Sequence, residues 1–288
     1  MKLSALLEAT AARLRPVSGE DAAAEARELV SFALGRRVGF SNGEAELTEK
    51  GSEALEALIA RRLAHEPLQY IIGEWDLMGL TFRVTEAVLI PRQDTETLVV
   101  EAERLIRTRG YRTLLDICTG SGCIGLALAV RTGADAALSD ISEAALEVAR
   151  SNAKLHGVRP RIVKSDLFSA FGGEKFDIIT VNPPYIPTKV VGTLAREVQR
   201  EPAIALDGGA DGLAFYRRIR AEFENRLNPG GALVMEIGYD QGEAVPALFE
   251  SCGTTRVLKD LGGNDRVVVV EPRGEMPNNT GETDADKA

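Results

Sequence analysis

The stretch FDIITVNPPYI, Phe176 to Ile186, closes a run of buried strand formers with an asparagine and two prolines. Aromatic and β-branched residues over Phe176 to Val181 predict a short strand covered on both faces. Proline has no backbone donor and a fixed φ, so pairing must stop near Asn182 and leave its amide at the carboxyl edge of a sheet, where open α/β sheets hold ligands. There the Asn182 side-chain carbonyl and the Pro183 backbone carbonyl can each accept one N–H of a substrate NH2, with Pro183 and Pro184 keeping the acceptors rigid. Tyr185 can stack on a flat group and exclude water. Planar nitrogens of amides and nucleobases are weak nucleophiles because their lone pairs are delocalised, so aiming such a lone pair is the chemistry on offer. Taken by itself, NPPY is also an ordinary polyproline turn.

A second cluster precedes it. Strand TLLDI leads into Cys118-Thr119-Gly120-Ser121-Gly122-Cys123-Ile124-Gly125, a GxGxxG at a strand-to-helix turn, and the next strand ends at Asp140, twenty positions after Gly120. Glycines let the backbone approach a ligand closely, and a carboxylate at that spacing can accept hydrogen bonds from both ribose hydroxyls, which suggests an adenosine-containing ligand. Asp166, after RIVKS, can accept the exocyclic amine of adenine while the Leu167 N–H reaches a ring nitrogen. Each feature has a plain structural use: tight packing for the glycines, helix capping for Asp140 and Asp166. Their order along the chain, ending in NPPY, favours a site. Asp116, just before the loop, is placed to meet an ammonium group, which suits the amino-acid end of S-adenosylmethionine better than the pyrophosphate of NAD. Methyl transfer is therefore favoured over hydride transfer, and dispersing sulfonium charge onto nitrogen requires neither metal nor oxyanion hole. His65 and His156 fall in helical segments and are read as structural or exposed.

These residues need elements to position them. Amphipathic helices are expected over Leu3 to Leu14, Asp21 to Leu34 and Thr48 to Ala64, forming a small bundle. WDLMGLTFRVTEAVLIP then switches to strand periodicity and reads as a β-hairpin connector. From Thr97 to Glu271 the runs TLLDI, ALSDI, RIVKSD, DIITV, ALVMEI and RVVVVE alternate with helical stretches, the pattern of an α/β, doubly wound, mostly parallel sheet. The division expected is a helical domain over 1–73, a connector over 74–92, a sheet domain over 93–272 and a disordered acidic tail over 273–288.

The 288 residues can bury a substantial core, in one large domain or two unequal ones. A formal charge of -9 argues against broad electrostatic binding to nucleic acid or anionic membrane and points to a protein or small-molecule partner. Cys118, Cys123 and Cys252 have no CxxC spacing, so neither a disulfide framework nor a zinc site is indicated, and reducing cytoplasm is the expected compartment. The opening MKLSALLEATAARLRP holds no apolar segment long enough for a signal core or a membrane span, so the folded protein is expected to start at Met1.

With these residues in view, the chain from roughly Glu66 to Val270 resembles the HemK/PrmC family, the N5-glutamine methyltransferases of peptide chain release factors. Besides NPPY, the likeness rests on EPLQYIIGEWDLMGLTFRV, LIPRQDTETLV, DICTGSGCIGLAL, EPAIALDGGADGLAFY and GGNDRVV, in that order. The resemblance implies a class I S-adenosylmethionine-dependent methyltransferase fold of Rossmann-like type. It implies S-adenosylmethionine as donor, S-adenosylhomocysteine as product, and the glutamine of the Gly-Gly-Gln loop in class 1 release factors as acceptor. Carried over by position, Thr119 to Gly122, Asp140 and the following Ile141 match the donor loop and ribose end, Asp166 and Leu167 the adenine end, and Asn182 to Tyr185 the glutamine clamp. The helical N-terminal part is implied to help dock the release factor. A monomer is expected.

Two positions depart from the family pattern. Cys118 stands where glycine is usual, and Gln93 replaces a common proline. Cysteine is small, so the loop is expected to survive, but a positive φ at Cys118 would cost about 1 kcal/mol or more. Arg92 and Glu201 fit either a structural ion pair or contacts to the substrate loop. The segment Ile186 to Leu213 is long for a connection and reads as a lid ordered by substrate. Two other readings stand beside the glutamine methyltransferase: a nucleic-acid amino methyltransferase using the same clamp, and a silent methyltransferase fold serving as an interaction surface.

Overall fold

The computed structural model describes residues 2–38 and 47–273. The tail expected over 273–288 therefore lies outside the described residues, Arg273 excepted.

Helices α1 (Leu3–Ser18), α2 (Ala22–Leu34), α3 (Glu49–Leu63) and the short α4 (Leu68–Ile72) pack through Leu14, Leu29, Leu55, Ile59 and Ile71. Thr48 caps α3 by accepting the Gly51 N–H at 3.1 Å, and Gly35, at φ 63°, closes α2 in the left-handed conformation. Helix α1 runs four residues past the expected Leu14. Pro16 sits in its last turn, and the Gly19 N–H closes that turn on the Arg15 carbonyl.

Strands β1 (Glu74–Leu77) and β2 (Leu80–Arg83) form an antiparallel hairpin around Met78 and Gly79, at φ 54° and 75°, the twisted two-residue turn that hairpins favour. The hairpin is anchored twice. The Glu96 carboxylate accepts the Met78 N–H at 2.8 Å, and Asn152 exchanges hydrogen bonds with the Arg83 backbone at 2.7 and 3.0 Å while donating to the Ser121 carbonyl at 2.9 Å. Asn152 thus ties the hairpin to the glycine loop.

Beyond it come α5 (Glu96–Arg109), β3 (Thr113–Ile117), α6 (Cys123–Thr132), β4 (Asp135–Asp140), α7 (Glu143–Leu155), β5 (Arg161–Lys164), β6 (Phe176–Val181), α8 (Thr188–Val191), α9 (Ala214–Glu222), β7 (Leu227–Glu236), α10 (Ala244–Phe249), β8 (Gly253–Lys259) and β9 (Asp265–Pro272). The strands form one sheet in the order β5-β4-β3-β6-β7-β9-β8. The first five are parallel, whereas β9 runs antiparallel to both β7 and β8. The chain leaves β3 toward β4 on one side and later returns to β6 on the other, so the crevice at the carboxyl ends of these strands is a topological switch point. The reversed β9 keeps the sheet mostly parallel, as expected, whereas strand β8 is not among the runs that the sequence marks. GTTRVLK interleaves charged residues with only partly buried apolar ones, as an edge strand does, and so lacks the apolar run that marked the others.

Each sheet face carries its own core: Leu98, Leu105, Leu126 and Leu138 on one side, Phe168, Tyr216, Phe223 and Phe249 on the other. The segment 186–213 is folded onto the sheet edge. Its base is fixed by Ile186 N–H to Leu206 O at 3.0 Å and Gly208 N–H to Ile186 O at 2.8 Å. Its middle meets the helical bundle, where the buried Arg62 guanidinium pairs with Glu25 at 2.8 Å and with Glu197 at 2.9 Å, and His65 Nδ1 lies 3.0 Å from Glu197. Burial alone would raise the Glu197 carboxyl, but hydrogen bonds from His65 and Arg62 outweigh it and hold the group at about 2.

Candidate active site

The glycine loop joins β3 to α6. Gly120 and Gly122 adopt φ 54° and 82°, and Cys118 adopts φ 55°, the left-handed region that costs a side-chain-bearing residue about 1 kcal/mol or more. The loop survives the cysteine with that strain in place. Burial pushes the Cys118 thiol up, which keeps it protonated and unreactive. Gly122 is locked by packing, since a Cβ there would lie 2.8 Å from the Leu126 side chain.

Asp140 ends β4 beside this loop. Its Oδ2 accepts the Gly120 N–H and its Oδ1 the Ser142 N–H, each at 2.9 Å, so the carboxylate fixes both the glycine turn and the entry into α7. With the Ile141 N–H also directed at it, the carboxylate keeps lone-pair capacity for a ligand hydroxyl. Burial raises this carboxyl, opposed by those backbone donors.

A cleft opens over these residues at the carboxyl edge of the sheet. It is lined by Cys118 to Ser121, Asp140, Ile141, Asp166, Leu167, Asn182, Pro184 and Arg92. Residues from Arg92 to Pro184 in the sequence are thus brought to one crevice. Leu167 adopts φ 49° in a turn that the Ser165 hydroxyl braces by donating to the Leu167 carbonyl at 2.7 Å and accepting the Ala170 N–H at 3.1 Å. Asn182 follows directly on the last residue of β6. Among the described residues none hydrogen-bonds the Asn182 side chain, so its amide faces the cleft uncommitted.

Other expected residues stand elsewhere. Asp116 does not line the cleft. It is fully buried beneath the loop, accepting from Thr119 Oγ1, from Thr180 Oγ1 at 2.7 Å and from the Gly125 N–H at 3.2 Å, and burial pushes its carboxyl up to about 6 against those bonds. The ammonium contact expected of it is replaced by a structural task, because a short aspartate side chain on β3 points under α6 rather than over its end. Tyr185 turns behind the cleft toward Glu236, and burial pushes its phenol up. Pro183 is buried. Glu201 also lies behind the wall: it accepts the Ile90 N–H at 2.9 Å and pairs with Arg92, with its side chain 1% exposed. The structural ion pair, one of the two readings left open for Arg92 and Glu201, is therefore the arrangement present, with Arg92 also reaching the cleft.

Sequence reasoning missed several walls. Val88 to Pro91 close one side, Pro202, Ile204 and Ala205 another, and Phe215 and Arg218 a third. Arg218 pairs with Asp166 at 2.8 Å and lies over the Phe215 ring at 5.8 Å. The available signals were LIPRQDTETLV for Leu89 to Pro91 and EPAIALDGGADGLAFY, read for its likeness and as part of a lid, for Pro202, Ile204, Ala205 and Phe215. For Arg218 there was none.

Residues 5–73 match the PrmC N-terminal domain, and residues 95–209 match the methyltransferase small domain. A release factor glutamine methyltransferase of Geobacter sulfurreducens is 44% identical over 255 residues, covering 86% of this chain and 89% of its own. One from Moorella thermoacetica is 45% identical, covering 81% and 84% respectively. Among solved structures, the hMettl16 catalytic domain in complex with the MAT2A 3'UTR hairpin 6 superposes with a TM-score of 0.55 at 15% identity, over 79% of this chain and 83% of that one, which shows a shared fold. The sequence signatures, the switch-point cleft and this identity over most of both chains lead to one conclusion: the chain belongs to the release factor glutamine methyltransferase family.

Proposed function

We propose that this chain transfers a methyl group from S-adenosylmethionine to the side-chain amide nitrogen of the glutamine in the Gly-Gly-Gln loop of class 1 peptide chain release factors. The observation that carries the reading is the Asn182 side chain, which has no hydrogen-bond partner among the described residues and stands at the end of β6 in a cleft that also holds the glycine loop and Asp140.

The donor supplies a methyl carbon activated by sulfonium charge. The residues present fit it: the left-handed backbone at Gly120 leaves space above the loop, Asp140 retains lone pairs for ribose hydroxyls, and Asp166 and Leu167 stand at the far end for an adenine edge. Asp116 acts through the loop, holding Thr119 and Gly125 in place. At the other end Asn182 Oδ1 and the Pro183 carbonyl accept the two N–H groups of the glutamine amide, fixing its plane and turning the nitrogen lone pair toward the methyl. Pro184 stiffens that pair and Tyr185 backs it. The methylated nitrogen is a strong acid and releases its proton to water, so no general base is required. Arg92, at the mouth of the cleft, contacts the incoming loop, while Glu201 holds Arg92 in place.

The helical part over 1–73 docks the release factor, and the hairpin over 74–92 joins it to the catalytic part over 93–272. The enzyme works as a monomer in the cytoplasm and does not act on nucleic acid, in keeping with its negative charge. Among the described residues no helix is long and apolar enough to cross a membrane.

Mass spectrometry of a class 1 release factor after incubation with enzyme and donor tests the reading: one added methyl on the loop glutamine is expected, and label passing into DNA or RNA in its place overturns it. Asn182→Ala should slow the transfer by roughly 10²- to 10³-fold while S-adenosylhomocysteine binds as before.

A further inference from the structure

Behind the clamp lies a buried carboxylate with no part in the reading above. Glu236 ends β7, the neighbour of β6, and is 1% exposed. Its Oε2 accepts Thr95 Oγ1 at 2.7 Å. Its Oε1 has one hydrogen-bond partner among the described residues, the Tyr185 hydroxyl, at 3.5 Å. That distance exceeds the usual 2.5–3.0 Å for O–H···O, so this oxygen is under-satisfied in a setting where an unmet acceptor is costly. The surroundings fix everything else about it. The Glu236 carbonyl accepts Tyr216 Oη at 2.8 Å, and Gln241 donates to the Tyr185 carbonyl at 3.1 Å while accepting the Gly238 N–H at 2.9 Å. Arg266, paired with Asp94 at 3.3 Å and Asp260 at 3.1 Å, supplies nearby positive charge. Both main chains are therefore held on either side of a single slack contact.

We infer that Glu236 is a positioning residue for methyl transfer, drawing in the Tyr185 hydroxyl when substrate fills the clamp and so bracing the Asn182–Pro183 acceptor pair from behind. The inference rests on the clamp reading above. Hydrogen bonds at catalytic sites are often long before substrate binds and shorten in the complex. Glu236 lines neither the donor nor the acceptor side of the cleft, so it acts through Tyr185 and touches no reacting atom.

The test is a double-mutant cycle on transfer to a release factor, with kcat and KM measured separately. Glu236→Leu fills the same space without acceptors, a replacement that buried polar sites can tolerate. Tyr185→Phe removes the other half of the contact, and Asn182→Ala serves as the reference for the clamp. Each of Glu236→Leu and Tyr185→Phe should lower kcat about 10-fold with S-adenosylhomocysteine affinity unchanged, and the double variant should be no slower than either alone. Glu236→Gln, which keeps an acceptor, should recover to within about threefold. Losses that multiply in the double variant, or full kcat in Tyr185→Phe, overturn the inference; the latter outcome decides even if Glu236→Leu does not fold. Full activity in Asn182→Ala would instead sink the clamp reading itself.

Discussion

The Arg62 guanidinium on α3 bridges Glu25 on α2 and Glu197 in the 186–213 segment, at 2.8 and 2.9 Å, with its side chain 5% exposed. One buried cation therefore neutralises two carboxylates that belong to different parts of the fold. Arg62→Ala leaves Glu25 with Ser18 and Glu197 with His65 as the partners of largely buried carboxylates, and losing the buried cation costs about 3 kcal/mol. A urea melt should register that loss. Amide exchange over 194–201 should quicken more than exchange in the sheet, and equal protection in both would remove Arg62 as the anchor.

Gly208 packs flat on the clamp: a Cβ there would fall 2.7 Å from Tyr185 Cα and 2.8 Å from the Pro184 carbonyl. Both neighbours are backbone, so neither can swing aside. Gly208→Ala should displace the NPPY turn and cost about 2 kcal/mol or more by forced overpacking. Transfer activity should fall even at temperatures where circular dichroism shows a folded protein.

At Cys118 the usual order of small residues should invert. Glycine is ordinarily the worse choice by roughly 0.5–1 kcal/mol, but at φ 55° it escapes the left-handed penalty that alanine bears. Cys118→Gly should therefore melt higher than Cys118→Ala, by about 1 kcal/mol in stability. Calorimetry on the two variants decides, and the ordinary order would show that the loop relaxes around a side chain.

Burial holds the Glu236 carboxyl up at about 7, above its ordinary 4.5, and Asp116 up at about 6, above 3.8. A raised folded-state value means that the folded protein binds the proton more tightly than the unfolded chain does. The stabilisation is thus fully present below pH 4.5 for Glu236 and is lost as pH rises through about 7. Its size is of order 3 kcal/mol at most. Glu197, held at about 2, acts with the opposite sign and withdraws stability as pH falls below 4.5. Melting temperature should decline between pH 5 and 7 in the parent, and Glu236→Gln should flatten that decline; an unchanged slope would reject Glu236 as its source.

The parts of the site that could be read from the sequence are those fixed by local backbone chemistry. Two prolines had to end β6 at Val181, and glycines had to turn the chain after β3, so Asn182 and the loop could be placed before any tertiary contact was known. Asp140 was legible by its spacing. Asp116 was not, because facing under α6 or over its end depends on which way one side chain leaves β3, and sequence spacing does not report that. Glu236 and Arg218 were invisible for a similar reason: each is one charged residue whose meaning comes from a partner, Tyr185 or Asp166, more than fifty positions away. The pairing of β8 and β9 was hidden by an edge strand whose residues are only partly buried.

The strand that pairs with the outer side of β7 comes from residues 265–272. While the nascent chain is still on the ribosome, β7 therefore waits as an open edge, with Glu236 at its tip, until nearly all of the described polypeptide has emerged. Methylating competence arrives as a late event in synthesis, and a chain cut short before Asp265 would present to chaperones an unpaired, apolar β-edge in place of a finished enzyme.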